Sequence, residues 1–212
     1  MDHSTEESQQ QEKAYSEYDN FAFHPYNVIL ILVLFGITAL FLAFSGAFIY
    51  TRVQSDLPPI QLPSIFILNT IILLGSSATM VWAKRSYLAD NTENYQRALI
   101  ATMVLSVLFM IAQFFGWKAL FDQDIYIHTD NSAGYLYVIS ALHFAHVIAG
   151  LPFLGLFLYT AKKHMKEPVS VLVYFSDPEK RLKLRLLTIY WHFLDALWIY
   201  LVLFFWLNYL LR

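Results

Sequence analysis

Long apolar runs separated by short charged stretches set the pattern of this chain. Five runs stand out, at 26–50, 64–83, 98–117, 134–159 and 187–210. Each reaches the length of about 20 residues that carries a helix across a bilayer core. None alternates apolar and polar residues with period two, as a membrane barrel strand would. In lipid only a helix satisfies its own backbone. The pattern therefore predicts an all-α fold, a bundle of five transmembrane helices occupying 24–212. Residues 1–23 are polar and acidic, with the composition of a disordered tail. They lack the basic region and short apolar core of a signal peptide, so no cleavage is expected.

Composition agrees with the pattern. The chain is 58% hydrophobic and 14% charged, too apolar for a soluble domain of its size. It has no cysteine, which excludes disulfides, thiolate metal sites, iron–sulfur ligation and c-type haem attachment. No connection is long enough for a soluble catalytic domain, and there is no phosphate-binding glycine loop, internal repeat or His-rich metal tract. Orientation follows from the basic residues. Eleven Lys and Arg fall in the tail and in 84–97 and 160–186, against three in the alternate segments. Positive charge is retained inside, so the N-terminus is expected in the cytoplasm and the C-terminus outside. The connection 160–186 is the longest and carries Lys162, Lys163, Lys166, Lys180, Arg181, Lys183 and Arg185. These anchor the topology. Lys162, Lys163, Lys166, Arg181, Lys183 and Arg185 are also candidate contacts for anionic lipid headgroups.

Within the apolar runs the polar residues are few. Ala39, Ala43 and Ala47 recur every fourth residue in the first run, as do Ala141, Ala145 and Ala149 in the fourth. Such stripes let helices approach closely in lipid. Asn69, Thr70, Ser76 and Ser77 lie in the second run, with Asn69 and Ser76 on one face, and are expected to hydrogen-bond to a neighbouring helix. The ionisable groups are His143 and His146 in the fourth run and His192 and Asp195 in the fifth. His143 and Asp195 lie roughly 13 and 12 Å into the core at 1.5 Å per residue, so both sit near mid-membrane. Three readings compete. A pair of histidines on two helices suits a bis-histidine haem. A titratable chain suits a proton-coupled transporter. A structural clamp, in which His143, His146, His192 and Asp195 satisfy one another and nearby carbonyls, meets the rule that buried polar groups be paired. Intramembrane ionisable groups are functional candidates by default, but nothing titratable lies within the other three runs.

"GYLYVISALHFAHVIAGL" at 134–151 resembles a helix of the cytochrome c oxidase subunit III family. "YWHFLDALWIYLVLFFW" at 190–206 resembles that family's last helix through Tyr190, Trp191, His192, Phe193, Asp195 and Trp198. "LNTIILLGSSATM" at 68–80 and the entry "HPY" at 24–26 fit the same family. Five helices match its short bacterial form. The resemblance implies a non-catalytic subunit of a haem–copper terminal oxidase in the bacterial cytoplasmic (inner) membrane. Its implied partners are the catalytic subunit I, subunit II, phospholipids and, in larger assemblies, a respiratory supercomplex. No cofactor is expected in this chain; haem and copper belong to the partner subunits. The implied role is to brace the catalytic subunit, bind lipid, and support proton uptake and durable turnover. Asn69, Thr70, Ser76, Ser77, Gln113, Trp191 and Trp198 then read as helix-packing residues. Two departures stand out. Where many members carry a glutamate, this chain has Ile37 in the first run and Gly116 between Gln113 and Trp117. A role resting on those carboxylates is not carried over.

Overall fold

The computed structural model describes residues 24–55, 60–165 and 167–211. The tail 1–23 and Lys166 lie outside the described residues. Every regular element among the described residues is a helix: α1 Pro25–Ser55, α2 Ile65–Leu88, α3 Thr92–Phe121, α4 Asn131–His164, α5 Pro168–Ser176 and α6 Pro178–Leu210. All but α5 are long and apolar enough to cross a membrane.

The long helices run past the apolar segments that predicted them, because polar caps set their starts. The Asn91 side chain accepts the Asn94 N–H at 3.0 Å to open α3. Asp130 accepts the Ala133 N–H at 2.7 Å to open α4. Asp177 accepts the Glu179 and Lys180 N–H groups at 2.9 and 3.4 Å, with Pro178 at the first position of α6. Each cap satisfies donors that a helix start leaves open. The α2–α3 turn needs a left-handed residue. Asp90 supplies it at φ 52°, a conformation Asp tolerates, and the Asn91 N–H closes onto the Ser86 carbonyl at 3.0 Å. The stretch 160–186, expected as a loop, is largely helical: it holds the end of α4, all of α5 and the start of α6.

The chain divides into two compact units, Met1–Ala39 and Leu40–Arg212. The described part of the first is His24 and the N-terminal half of α1. In the second, α2 packs on α3 and α6, and α4 on α3 and α6, closing a four-helix bundle. One end of its core gathers Met80, Tyr87, Tyr95, Leu154, Tyr174 and Trp191. The remainder of α1 sets Phe48 edge-on to Phe204 and Phe205, both at 5.4 Å. Arg52 closes the C-terminus of α6: it donates to the Asn208 carbonyl, to Asn208 Oδ1 at 3.1 Å and to the Leu211 carbonyl at 2.9 Å. A cation there complements the negative end of the helix dipole.

Within this chain the alanine stripes are not where the helices come closest, and only Ala47 is half-buried. Ala39, Ala43, Ala141, Ala145 and Ala149 are exposed. The buried face of α4 is His143, Val147, Gly150 and Leu154. Close approach of α4 to α6 falls instead at Gly150, where a Cβ would stand 3.0 Å from both the Trp191 and Tyr190 rings. A four-residue spacing marks a helix face; it does not say which neighbour, if any, that face meets.

Candidate functional site

The polar residues of the bundle sit mainly where helices meet. Between α2 and α6 three pairs run in antiparallel register. Trp198 Nε1 donates to Thr70 Oγ1 at 3.2 Å, Trp191 Nε1 to Ser76 Oγ at 3.0 Å, and Ser77 Oγ lies 2.7 Å from His192 Nδ1. Seven residues back from Trp198 on α6 and six on from Thr70 on α2 each make close to two turns, which brings Trp191 beside Ser76. Between α2 and α3, Asn69 Nδ2 donates to Gln113 Oε1 at 2.8 Å, and the Thr79 and Thr102 hydroxyls meet at 2.8 Å. Trp117 Nε1 donates to Ser140 Oγ at 3.0 Å between α3 and α4. The Tyr190 hydroxyl donates to the His146 carbonyl at 2.8 Å between α6 and α4. Each adjacent pair in the bundle thus has a polar fastener at a buried or half-buried position.

The four ionisable residues do not form one cluster. Asp195 Oδ2 lies 3.9 Å from His192 Nδ1, the same ring nitrogen that Ser77 Oγ meets. His143 stands apart. It is 0% exposed, 5.0 Å from the Trp198 ring and edge-on to Phe109 at 5.8 Å. Neither of its nitrogens has a hydrogen-bond partner among the described residues. His146 bonds through Nδ1 to the Leu142 carbonyl of its own helix at 2.7 Å, and its ring lies 5.9 Å from Phe41. A carbonyl only accepts, so Nδ1 of His146 carries a proton. The expected mutual satisfaction of three histidines and the aspartate therefore reduces to Ser77, His192 and Asp195. Equal depth is not equal direction: the Trp198 indole fills the space in front of His143.

A serine, a histidine and an aspartate together invite comparison with a nucleophilic triad. That chemistry needs the carboxylate on one imidazole nitrogen and the hydroxyl on the other. Here both approach Nδ1, so the relay is not assembled. Among the described residues no three His, Asp or Glu side chains converge as a metal site would require. What the arrangement does is satisfy polar groups between helices.

The basic residues flank α5. Lys162 and Lys163 end α4, and Lys180, Arg181, Lys183 and Arg185 lie in the first turns of α6. Lys180 pairs with Asp177 at 3.2 Å and lies 4.4 Å over the Tyr174 ring. Lys183 pairs with Glu179 at 2.6 Å. Burial pushes the Asp177 carboxyl up, but hydrogen bonds from the Lys180 side chain and the Glu179 and Lys180 amides outweigh it. They hold the group below its ordinary 3.8.

Sequence reasoning passed over several of these positions. Gly150 is one of three glycines in its apolar run, and nothing in the sequence singles it out from the other two. Arg52 was a lone cation in a loop. Tyr87, Tyr95 and Tyr174 come together from three helices, with the Tyr87 hydroxyl donating to the Tyr174 carbonyl at 3.2 Å. Only the 3.6-residue spacing of buried aromatics could have suggested Tyr87; nothing local marks Tyr174.

Five long apolar helices with polar fasteners define a multi-pass membrane protein without an assembled catalytic centre among its described residues. Comparison with known sequences narrows this. The family described as cytochrome c oxidase subunit III matches residues 26–209, and the chain belongs to that family. It is 27% identical over 199 residues to cytochrome c oxidase subunit 3 of Yarrowia lipolytica, covering 85% of this chain and 67% of that one. It is 28% identical over 183 residues to the subunit 3 of Paracentrotus lividus, covering 81% and 65%. With that of Locusta migratoria it shares 31% over 146 residues, covering 68% and 49%. The chain thus spans about half to two thirds of the length of these relatives.

Proposed function

We propose that the chain is the non-catalytic subunit III of a bacterial haem–copper terminal oxidase. It braces subunit I beside subunit II, holds lipid, and supports proton uptake and durable turnover during aerobic respiration. Haem and copper reside in the partner subunits. The observation that carries the reading is the family match along 26–209. It is supported by where the family-like residues lie: Thr70, Ser76, Ser77, Trp191, His192 and Trp198 all serve contacts between α2 and α6. Residues 24–212 act as one membrane domain, with the N-terminus and the α4–α6 connection in the cytoplasm of the inner membrane. The cations Lys162, Lys163, Arg181, Lys183 and Arg185 then face anionic headgroups. Ile37 and Gly116, in place of carboxylates, argue that this chain does not itself carry protons.

The test is purification in mild detergent through a tag on this chain, followed by oxygen consumption with and without it. The expected result is co-purification of a subunit bearing haem and copper. The depleted oxidase should start near its normal rate and inactivate sooner, more so at high pH, where protons are scarcer. Failure to recover such a subunit would overturn the reading, as would immediate and complete loss of activity on depletion.

A further inference from the structure

The Ser77, His192 and Asp195 group lies at a position that lipid cannot satisfy. Ser77 is seven residues from Lys84 on α2, and His192 is seven from Arg185 on α6. Both cations mark the same rim of the bundle, so the group lies roughly 10 Å inside it at 1.5 Å per residue. The His192 side chain is 35% exposed and that of Asp195 is 6%. Ser77 occupies Nδ1 of His192, which leaves Nε2 as the position on the ring for a further partner. Asp195 Oδ2 is buried without one. Hydrocarbon offers no donor or acceptor, so a polar group left unsatisfied there is strongly disfavoured. Headgroups lie at the rim, too far to bond. One turn on from His192, on the same face, Ala196 is exposed. Its small side chain lets another helix backbone come close.

We propose that the groove between α2 and α6 at Ser77, His192 and Ala196 is a docking notch for a transmembrane helix of a partner subunit, which presents a hydrogen-bonding side chain at that depth. The occupant is a protein helix because the notch combines close approach with unmet hydrogen-bonding capacity. Acyl chains use neither. The chemistry required is a hydroxyl, amide or carboxyl side chain able to reach His192 Nε2 while its helix lies against Ala196. This rests on the proposed oxidase function and names the face of the chain that the complex uses.

The experiment uses the full tagged chain expressed with its oxidase. Ala196→Leu fills the notch at an exposed position and leaves the bundle core intact. It should lower recovery of the haem–copper subunit at least tenfold while the chain accumulates normally. His192→Leu should do the same, and His192→Asn, which keeps hydrogen-bonding capacity, should recover more partner than His192→Leu. A photoreactive benzoylphenylalanine at position 196 should join the chain to an oxidase subunit. Unchanged recovery with Ala196→Leu, together with photoproducts formed only with lipid, overturns the notch while leaving the oxidase assignment standing. A wild-type chain that recovers no haem–copper subunit overturns that assignment and the notch with it.

Discussion

At Gly150 a single missing methyl decides how closely two helices lie. A Cβ there would meet the Trp191 and Tyr190 rings at 3.0 Å. These rings are not free to withdraw: Trp191 donates to Ser76, and Tyr190 donates to the carbonyl of His146, one turn before Gly150. Gly150→Ala should therefore separate α4 from α6 and cost about 1–3 kcal/mol, the usual range for overpacking. The check is a lower melting temperature of the solubilised chain. Gly75→Ala is the contrast. Its Cβ would lie 3.6 Å from Leu105 Cδ1, an ordinary contact. Alanine favours a helix over glycine by roughly 0.5–1 kcal/mol, so that substitution should leave the melting temperature unchanged or raise it. Both residues read alike as glycines in apolar helices; their neighbours give the two substitutions opposite signs.

At one end of the bundle the start of α6 depends on the carboxylate of Asp177, and the short helix α5 on what its two faces meet. Asp177 caps α6, and its carboxyl is held below its ordinary value in the folded chain. A depressed folded value means that the stabilisation is present above the unfolded value and lost as pH falls through the folded one. Amide exchange in the first turn of α6 should thus be slow at neutral pH and accelerate at acidic pH below the ordinary carboxylate range. Asp177→Ala should give fast exchange at both, with a loss of about 1 kcal/mol as for other N-caps. α5 turns Tyr174 into the core and leaves Val169, Leu172 and Val173 exposed. Those three share one face at i, i+3 and i+4, and cations follow on either side along the chain. Such a helix suits the headgroup boundary. A Trp at Leu172 should be quenched by shallow lipid-borne quenchers in anionic vesicles, and weakly by quenchers at the bilayer centre. Equal quenching at both depths would count against it.

For the whole molecule the prediction is topological. Of the fourteen Lys and Arg, one lies in the tail, three at the helix ends around the α2–α3 turn and seven in the stretch from α4 to α6, so these segments should face the cytoplasm. The cysteine-free chain allows single thiols to report this. Glu167 and Gln123 are both exposed and lie on opposite sides of the expected membrane. In intact cells an impermeant thiol reagent should label Gln123→Cys and spare Glu167→Cys. The reverse pattern would invert the orientation.

The number of spanning helices, their order and their all-helical nature were legible without a structure, because lipid leaves the backbone one local solution and hydrophobicity is a local property. The polar residues of α2 and α6 were legible too, since so few occur in the apolar runs. Partners were not. His143, His146, His192 and Asp195 share a depth that counting along the chain reveals. Whether they meet depends on rotation about each helix axis, which is set by large side chains such as Trp198 and by the close approach at Gly150. The same limit applies to the alanine stripes, exposed at every position but Ala47, and to Tyr174, which α5 brings to Tyr87 and Tyr95 across long stretches of chain. Depth and span follow from sequence alone. Facing is a property of several helices packed together, and only the tertiary structure decided it.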